Sequence, residues 1–170
     1  MKILTKVMSK IATIEQLQQE IEQLKTKVAK YETIIKELAA PMIPSIVPNT
    51  MLVPLTGTFT VERFIHIQNT IVNSVVKTDT DTVVIDLTGI NYLDIDATGY
   101  QELSTNIKNL TDALKLMGID TIFVGFSAKL VQKLVLSNSG FQGFESYANF
   151  RLGLRSLLKK KGLEIKEREE

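Results

Sequence analysis

One histidine, no cysteine and a handful of aspartates set narrow limits on the chemistry this chain can carry. Without cysteine there is no thiolate nucleophile, no zinc–thiolate site and no disulfide. His66 falls at a polar position of a helical pattern. A triad built on it needs a nucleophile and an orienting acid that the spacing does not supply, so it reads as solvated or partly packed. Asp81, Asp94 and Asp96 come nearest to a metal cluster, yet no histidine or recognisable ligand spacing accompanies them. Gly140, Gly143 and Gly153 match neither nucleotide fingerprint. Phe141, Phe144, Tyr147 and Phe150 are closely spaced but carry little basic charge between them, which suits closing a core better than stacking on bases. No catalytic, cofactor-binding or metal residue is assigned. A small α/β hydrolase or phosphatase is the enzymatic alternative, disfavoured because acid, base and nucleophile do not converge in the sequence.

The informative polar residues lie in Val83–Gly99, VVIDLTGINYLDIDATG. A short buried strand ends at Asp86-Leu87, and a turn then leads through Asp94 and Asp96 to a helix with Thr98 and Gly99 at its start. A helix N-terminus offers unpaired N–H groups and a dipole that favours a phosphate or an acidic partner group. Asp and Thr at such a position also suit simple capping with no further role.

The elements that must position this junction follow from periodicity. The first 39 residues hold no Gly or Pro. Leu4, Val7, Ile11 and Ile14 alternate steps of three and four, and Ile14, Leu17, Ile21, Leu24, Val28, Tyr31, Ile35 and Leu38 do so again. The registers meet at Ile14 in a slip that alters supercoiling without stopping the helix. Such a stripe needs cover, from a second chain in a homodimeric or hetero-dimeric coiled coil or from the chain's own domain. Pro41, Pro44 and Pro48 end the helix, so residues 1–40 are assigned to it.

Beyond the prolines, Met51–Leu55 reads as a strand closed by Gly57, with Pro54 marking an edge or a bulge. Thr60 caps a helix whose inner face is Phe64, Ile65, Ile71, Val72 and Val75. Thr82–Leu87 is a buried strand. Leu103, Ile107, Leu110 and Leu114 line a long helix ending near Gly118. Thr121–Val124 is a strand, and Ser127 caps a helix bearing Leu130, Val131, Leu134 and Val135. Phe144–Tyr147 is the last strand, and Asn149 caps a helix through Leu158. Strands alternating with helices predict a mainly parallel or mixed sheet, here over residues 41–158. Residues 159–170 read as a charged, frayed tail, with Lys159, Lys160 and Lys161 as a solvated helix end.

The chain's 170 residues are 44% hydrophobic and 23% charged, ordinary values for a folded domain with an appendage. A net charge of +1 favours neither nucleic acid nor an anionic membrane. No apolar run has the length of a membrane span or of a secretory leader, so a cytoplasmic protein is expected.

Asp86-Leu87-Thr88-Gly89 followed by Asp94 resembles the D-[IL]-[ST]-G-x₄-D signature of STAS domains, which include bacterial anti-sigma-factor antagonists. Pro41-Met42-Ile43-Pro44 with Val53-Pro54-Leu55-Thr56-Gly57-Thr58 resembles the opening of stressosome proteins of the RsbR/RsbS type. Leu116-Met117-Gly118 and Val124-Gly125-Phe126-Ser127 resemble two of their later segments. The resemblance implies a SpoIIAA-like fold, a mixed sheet covered mainly on one side by helices. It also implies signalling through contacts with other STAS proteins in a large assembly, and a serine/threonine kinase that phosphorylates family members.

In the family a Ser or Thr follows the aspartate at the helix start. Here that position is Ile95 or Ala97, according to whether Asp94 or Asp96 is aligned. The second acceptor position is Val124. Three readings of the junction Asp94, Asp96, Thr98 and Gly99 stand: a non-phosphorylatable regulator, a shifted acceptor at Thr98, or capping alone.

Overall fold

The computed structural model describes residues 2–38, 40–91, 97–136 and 143–165. The chain divides into two compact units, Met1–Leu38 and Ala39–Glu170. The first is one helix, α1 (Lys2–Glu37). Every described side chain from Thr13 to Ile35 is exposed, the stripe residues among them. No helix among the described residues is long and apolar enough to cross a membrane.

The second unit runs β1 (Ile43–Pro44), β2 (Thr50–Thr58), α2 (Val61–Val75), β3 (Thr82–Asn91), α3 (Ala97–Leu116), β4 (Asp120–Val124), α4 (Ala128–Leu136), β5 (Glu145–Tyr147) and α5 (Phe150–Lys160). The five strands lie in sequence order, β1 antiparallel to β2 and the rest parallel. Parallel crossovers are right-handed. Three successive crossovers stepping the same way therefore place α2, α3 and α4 on one face, whereas α5 follows the last strand and is free of that rule.

Strand alternation separates the two layers. Val83, Ile85 and Leu87 of β3 pack with Phe64, Ile67 and Ile71 of α2, with Leu103, Ile107, Leu110 and Leu114 of α3, and with Leu130 and Leu134 of α4. Val84, Ile122 and Val124 point the other way and meet Leu157 of α5. Each such buried aliphatic side chain stabilises by about 1.5–3 kcal/mol relative to exposure. The mixed sheet with helices mainly on one side is the expected architecture.

The caps are local and specific. Thr60 accepts from the Arg63 N–H (3.2 Å), Ser127 from the Leu130 N–H (3.2 Å) and Asn149 from the Leu152 N–H (3.0 Å). At the end of α3 the N–H of Ile119 reaches the Leu114 carbonyl (2.9 Å) and that of Gly118 the Lys115 carbonyl (3.0 Å), the paired bonds of a Schellman turn.

Two expectations are corrected, one on α2 and one in the tail, and the faces of α4 are resolved. On α2 the inner positions are Phe64, Ile67, Ile71 and Val75, and Ile65 is 48% exposed, because steps of three and four select Ile67. On α4 only Leu130 and Leu134 are buried, while Val131 and Val135 face outward. The tail expected to fray from Lys159 is structured as far as it is described. α5 continues to Lys160, and Leu163 donates to the Leu158 carbonyl (2.8 Å). Lys161, expected to be solvated, has a largely buried side chain. It donates to the Pro48 carbonyl (2.9 Å) and pairs with Asp81.

Candidate functional site

The carboxyl ends of β2, β3 and β4 each feed a helix, so the N-termini of α2, α3 and α4 gather at one edge of the parallel sheet. The Asp86–Gly89 stretch builds the centre of that edge. Pro54 pairs with Asp86 and Thr56 with Gly89, so Leu87 and Thr88 stand opposite Leu55 alone. β3 therefore carries one extra residue, a bulge that re-aims the chain toward the junction. The adjoining proline fits, because it has no N–H to give to a ladder and β1 pairs only with Met51 and Leu52. Asp86 Oδ1 accepts the Thr88 N–H (2.9 Å), which occupies a donor at the bulge.

Two glycines let the strands close around this turn. A side chain at Gly89 would put its Cβ 2.7 Å from Thr56 Cγ2 and 3.0 Å from the Leu55 carbonyl. Gly125, at the end of β4, has φ +84° and would press a Cβ to 2.4 Å from Thr88 Oγ1 and 2.5 Å from Thr88 N. Glycine at 125 is required by both conformation and space. On the other flank the Arg63 guanidinium donates to the Thr58 carbonyl (2.9 Å) and to that of Thr56. Burial pulls its pKa below the ordinary arginine value. No carboxylate pairs with it among the described residues. Arg63 thus acts as a clasp for the end of β2.

Of the residues singled out in the sequence, Asp94, Ile95 and Asp96 lie outside the described residues. α3 begins at Ala97, so Thr98 stands in its first turn, with Gly99 half-buried and Tyr100 buried behind it. Val124 belongs to the opposite layer. It has no exposed surface, and it packs so close to α5 that a Cβ on Gly153 would lie 2.5 Å from Val124 Cγ1. The packed face of α3 and the Val124 side chain are therefore on different faces of the sheet. His66 is half-buried on α2, and Asp81 is paired with Lys161 at the opposite end of β3.

A polar cluster that sequence reading missed joins β5 to α5. Tyr147 Oη donates to Glu145 Oε1 (2.7 Å), Ser156 Oγ lies 3.4 Å from the same oxygen, and Lys160 pairs with the other oxygen. Burial disfavours the Glu145 carboxylate, but hydrogen bonds from Lys160, Tyr147 and Ser156 and the Lys160 charge outweigh it. They hold its pKa below the usual value. Glu145 in turn raises that of Lys160. The alternation Glu145-Ser-Tyr147 was the available signal, since residues two apart on a strand share a face.

A family model described as the STAS domain matches residues 41–153. The RsbT co-antagonist protein RsbRA of Bacillus subtilis (strain 168) is 31% identical over 101 residues, 59% of this chain and 34% of that protein. A blue-light photoreceptor of Listeria monocytogenes serovar 1/2a is 25% identical over 123 residues, 72% of this chain and 46% of that protein. The chain spans less than half the length of these curated relatives. RsbS of Moorella thermoacetica superposes with a TM-score of 0.56 at 15% identity, covering 73% of this chain and 98% of that one. A chain from a structure of the stressosome, titled a signal integration and transduction hub, gives 0.54 at 14%, covering 71% and 98%. At these identities the structural likeness carries the fold alone.

Proposed function

This chain belongs to the STAS domain family, and from that premise we propose that it is a non-enzymatic scaffold of a stress-signalling assembly. It acts through contacts with other STAS proteins and bears on a stress sigma-factor pathway, in the cytoplasm and without nucleic acid, membrane or cofactor. The observation that carries this reading is how the described polar groups at the carboxyl ends of the parallel strands are spent. Asp86 holds the Thr88 amide, Arg63 holds the Thr56 and Thr58 carbonyls, and Ser127 holds the Leu130 amide. Groups committed to their own backbone shape a surface and do not converge on a reacting atom. Similarity to a co-antagonist protein supports the same direction.

The usual phosphoacceptor positions read Ile95 or Ala97, and Val124, none of which has a hydroxyl. Val124 is in addition sealed beneath α5. The scaffold accordingly works beside phosphorylatable STAS partners, with a serine/threonine kinase acting on them and not on this chain. A second reading rests on Thr98, which the start of α3 at Ala97 places in the first helical turn, where N–H donors favour a phosphate.

Purification of the tagged chain from native lysate, with the size of the complex measured, tests the proposal. Co-purifying STAS proteins in a large complex are expected, and recovery of neither STAS protein nor kinase overturns it. Incubation with the recovered kinase followed by mass spectrometry is expected to leave Thr98 unmodified. Phosphate on Thr98 would replace the static scaffold by the shifted switch.

A further inference from the structure

The exposed stripe of α1 carries more information than its need for cover. From Ile14 to Leu38 the apolar steps alternate three and four without interruption. A residue followed by a step of three is an a position of a heptad, and one followed by four is a d position. Ile14, Ile21, Val28 and Ile35 are therefore at a, and Leu17, Leu24, Tyr31 and Leu38 at d. β-Branched residues at a with leucine at d favour two parallel strands over three or four. All eight side chains are between 50% and 68% exposed on the helix, which leaves the whole seam available.

The flanking charges then choose the partner. Positions e are Gln18, Lys25 and Glu32, and positions g are Glu20, Lys27 and Ile34. In a parallel, in-register pair each g residue lies beside the e residue five positions later on the other helix, and these contacts set partner and orientation. Glu20 then meets Lys25 of the partner subunit, and Lys27 meets Glu32 of the partner subunit. Both contacts are between opposite charges, and the two-fold axis repeats each of them. An antiparallel pair over the same stretch sets g beside g and e beside e. Its centre would bring the two Lys27 residues together and the two Lys25 residues together.

We infer that α1 pairs with α1 of a second copy of this chain as a parallel, in-register, two-stranded coiled coil, and that Glu20, Lys25, Lys27 and Glu32 select that partner. The inference rests on the reading of the chain as an assembling module and supplies one of its partners.

Because the chain has no cysteine, one introduced thiol reports on one position. Leu17→Cys, Leu24→Cys and Leu38→Cys are placed singly in the full-length protein and mildly oxidised. A parallel, in-register pair forms interchain disulfides at all three, since each residue faces its own copy. Disulfide at fewer than all three positions marks a pair that is antiparallel or out of register, since an antiparallel seam layers a positions against d positions, and none at any position marks a helix covered in another way. Either result overturns the inference.

Independently of these thiols, E20K/E32K and K25E/K27E each give like charges at all four flanking positions. Alone, each is expected to weaken self-association about tenfold or more by light scattering, and mixing them in equal amounts is expected to restore the dimer. Failure of the mixture to recover overturns the role of the four charges. STAS partners recovered from lysate are scored separately, so loss of this interface is distinguishable from loss of the assembly reading.

Discussion

Replacing Gly153 by alanine tests whether α5 reaches the sheet only because it lacks a side chain there. At an ordinary helix-interior site the change stabilises by about 1 kcal/mol. Here the new Cβ stands 2.5 Å from Val124 Cγ1, 3.5 Å from Tyr147 Cδ2 and 3.7 Å from Ile122 Cγ2. Carbon atoms rest at about 3.5–4.0 Å, so the last two contacts are ordinary and the first is too short by about 1 Å. Val124 cannot step aside. It is fully buried, β-branched and stiff about χ1, and its strand is paired on both sides, with Asp86 and Tyr147. Overpacking of this kind costs about 1–3 kcal/mol, so the net effect is a loss of about 0–2 kcal/mol once the helix gain is subtracted.

The sharper reading of the same substitution comes from a cycle with Val124→Ala, which removes Cγ1. In that background Gly153→Ala fills space and should stabilise by about 1 kcal/mol, giving a coupling of about 1–3 kcal/mol. Urea unfolding with linear extrapolation measures all four proteins, followed by tyrosine fluorescence because the chain has no tryptophan. If Gly153→Ala stabilises the parent protein, or acts equally in both backgrounds, the packing argument fails.

Two further outcomes follow from the site. Gly125→Ala should lower unfolding stability by about 2–5 kcal/mol, because a positive φ and contact with the Thr88 backbone act together; a change within about 0.5 kcal/mol in urea would refute the clasp of β4 on the bulge. Glu145→Gln should destabilise at neutral pH and lose its effect in acid. The folded carboxyl titrates below its ordinary value, so its contribution is complete above the ordinary carboxylate range and disappears as pH falls through the folded pKa. Parent and variant unfolding midpoints should therefore converge as the pH falls below the ordinary carboxylate range, and a gap that widens on acidification would contradict the sign.

Periodicity recovered most of the scaffold because burial imposes it. The stripe Leu103, Ile107, Leu110 and Leu114 and the caps Thr60, Ser127 and Asn149 needed no knowledge of the partner element. Ile65 misled because two isoleucines lie two apart on α2, and only the position of the sheet decides which faces inward. Lys161 was illegible for a different reason: its hydrogen-bond acceptor, the Pro48 carbonyl, is 113 residues away in the sequence. The Asp86–Gly89 motif was visible as a pattern, but its physical meaning was not. Only the register shows that Leu87 and Thr88 share one opposite residue, and only the fold brings Gly125 against Thr88. The aspartates of the junction, Asp94 and Asp96, lie outside the described residues, so the pattern stands without geometry there.

In the proposed scaffold, whose family acceptor positions read as lacking a hydroxyl, the inferred pairing of α1 would supply a firm hold on partners by geometry. Packed helices sit about 8–10 Å apart, so in a parallel dimer both copies of Leu38 emerge side by side. Ala40, the first buried residue of the second unit, follows only two residues later in each chain. Two STAS units are then tethered by very short connections, a regime in which the second of two contacts forms at an effective concentration of about millimolar. When both units can engage one assembly together, avidity exceeds single-site affinity by about 10²–10⁴ with no new contact. An antiparallel seam would send the two units to opposite ends of the helix pair and lose most of that gain. On that inference, the orientation chosen by Glu20, Lys25, Lys27 and Glu32 would decide how much of this avidity the proposed scaffold gains.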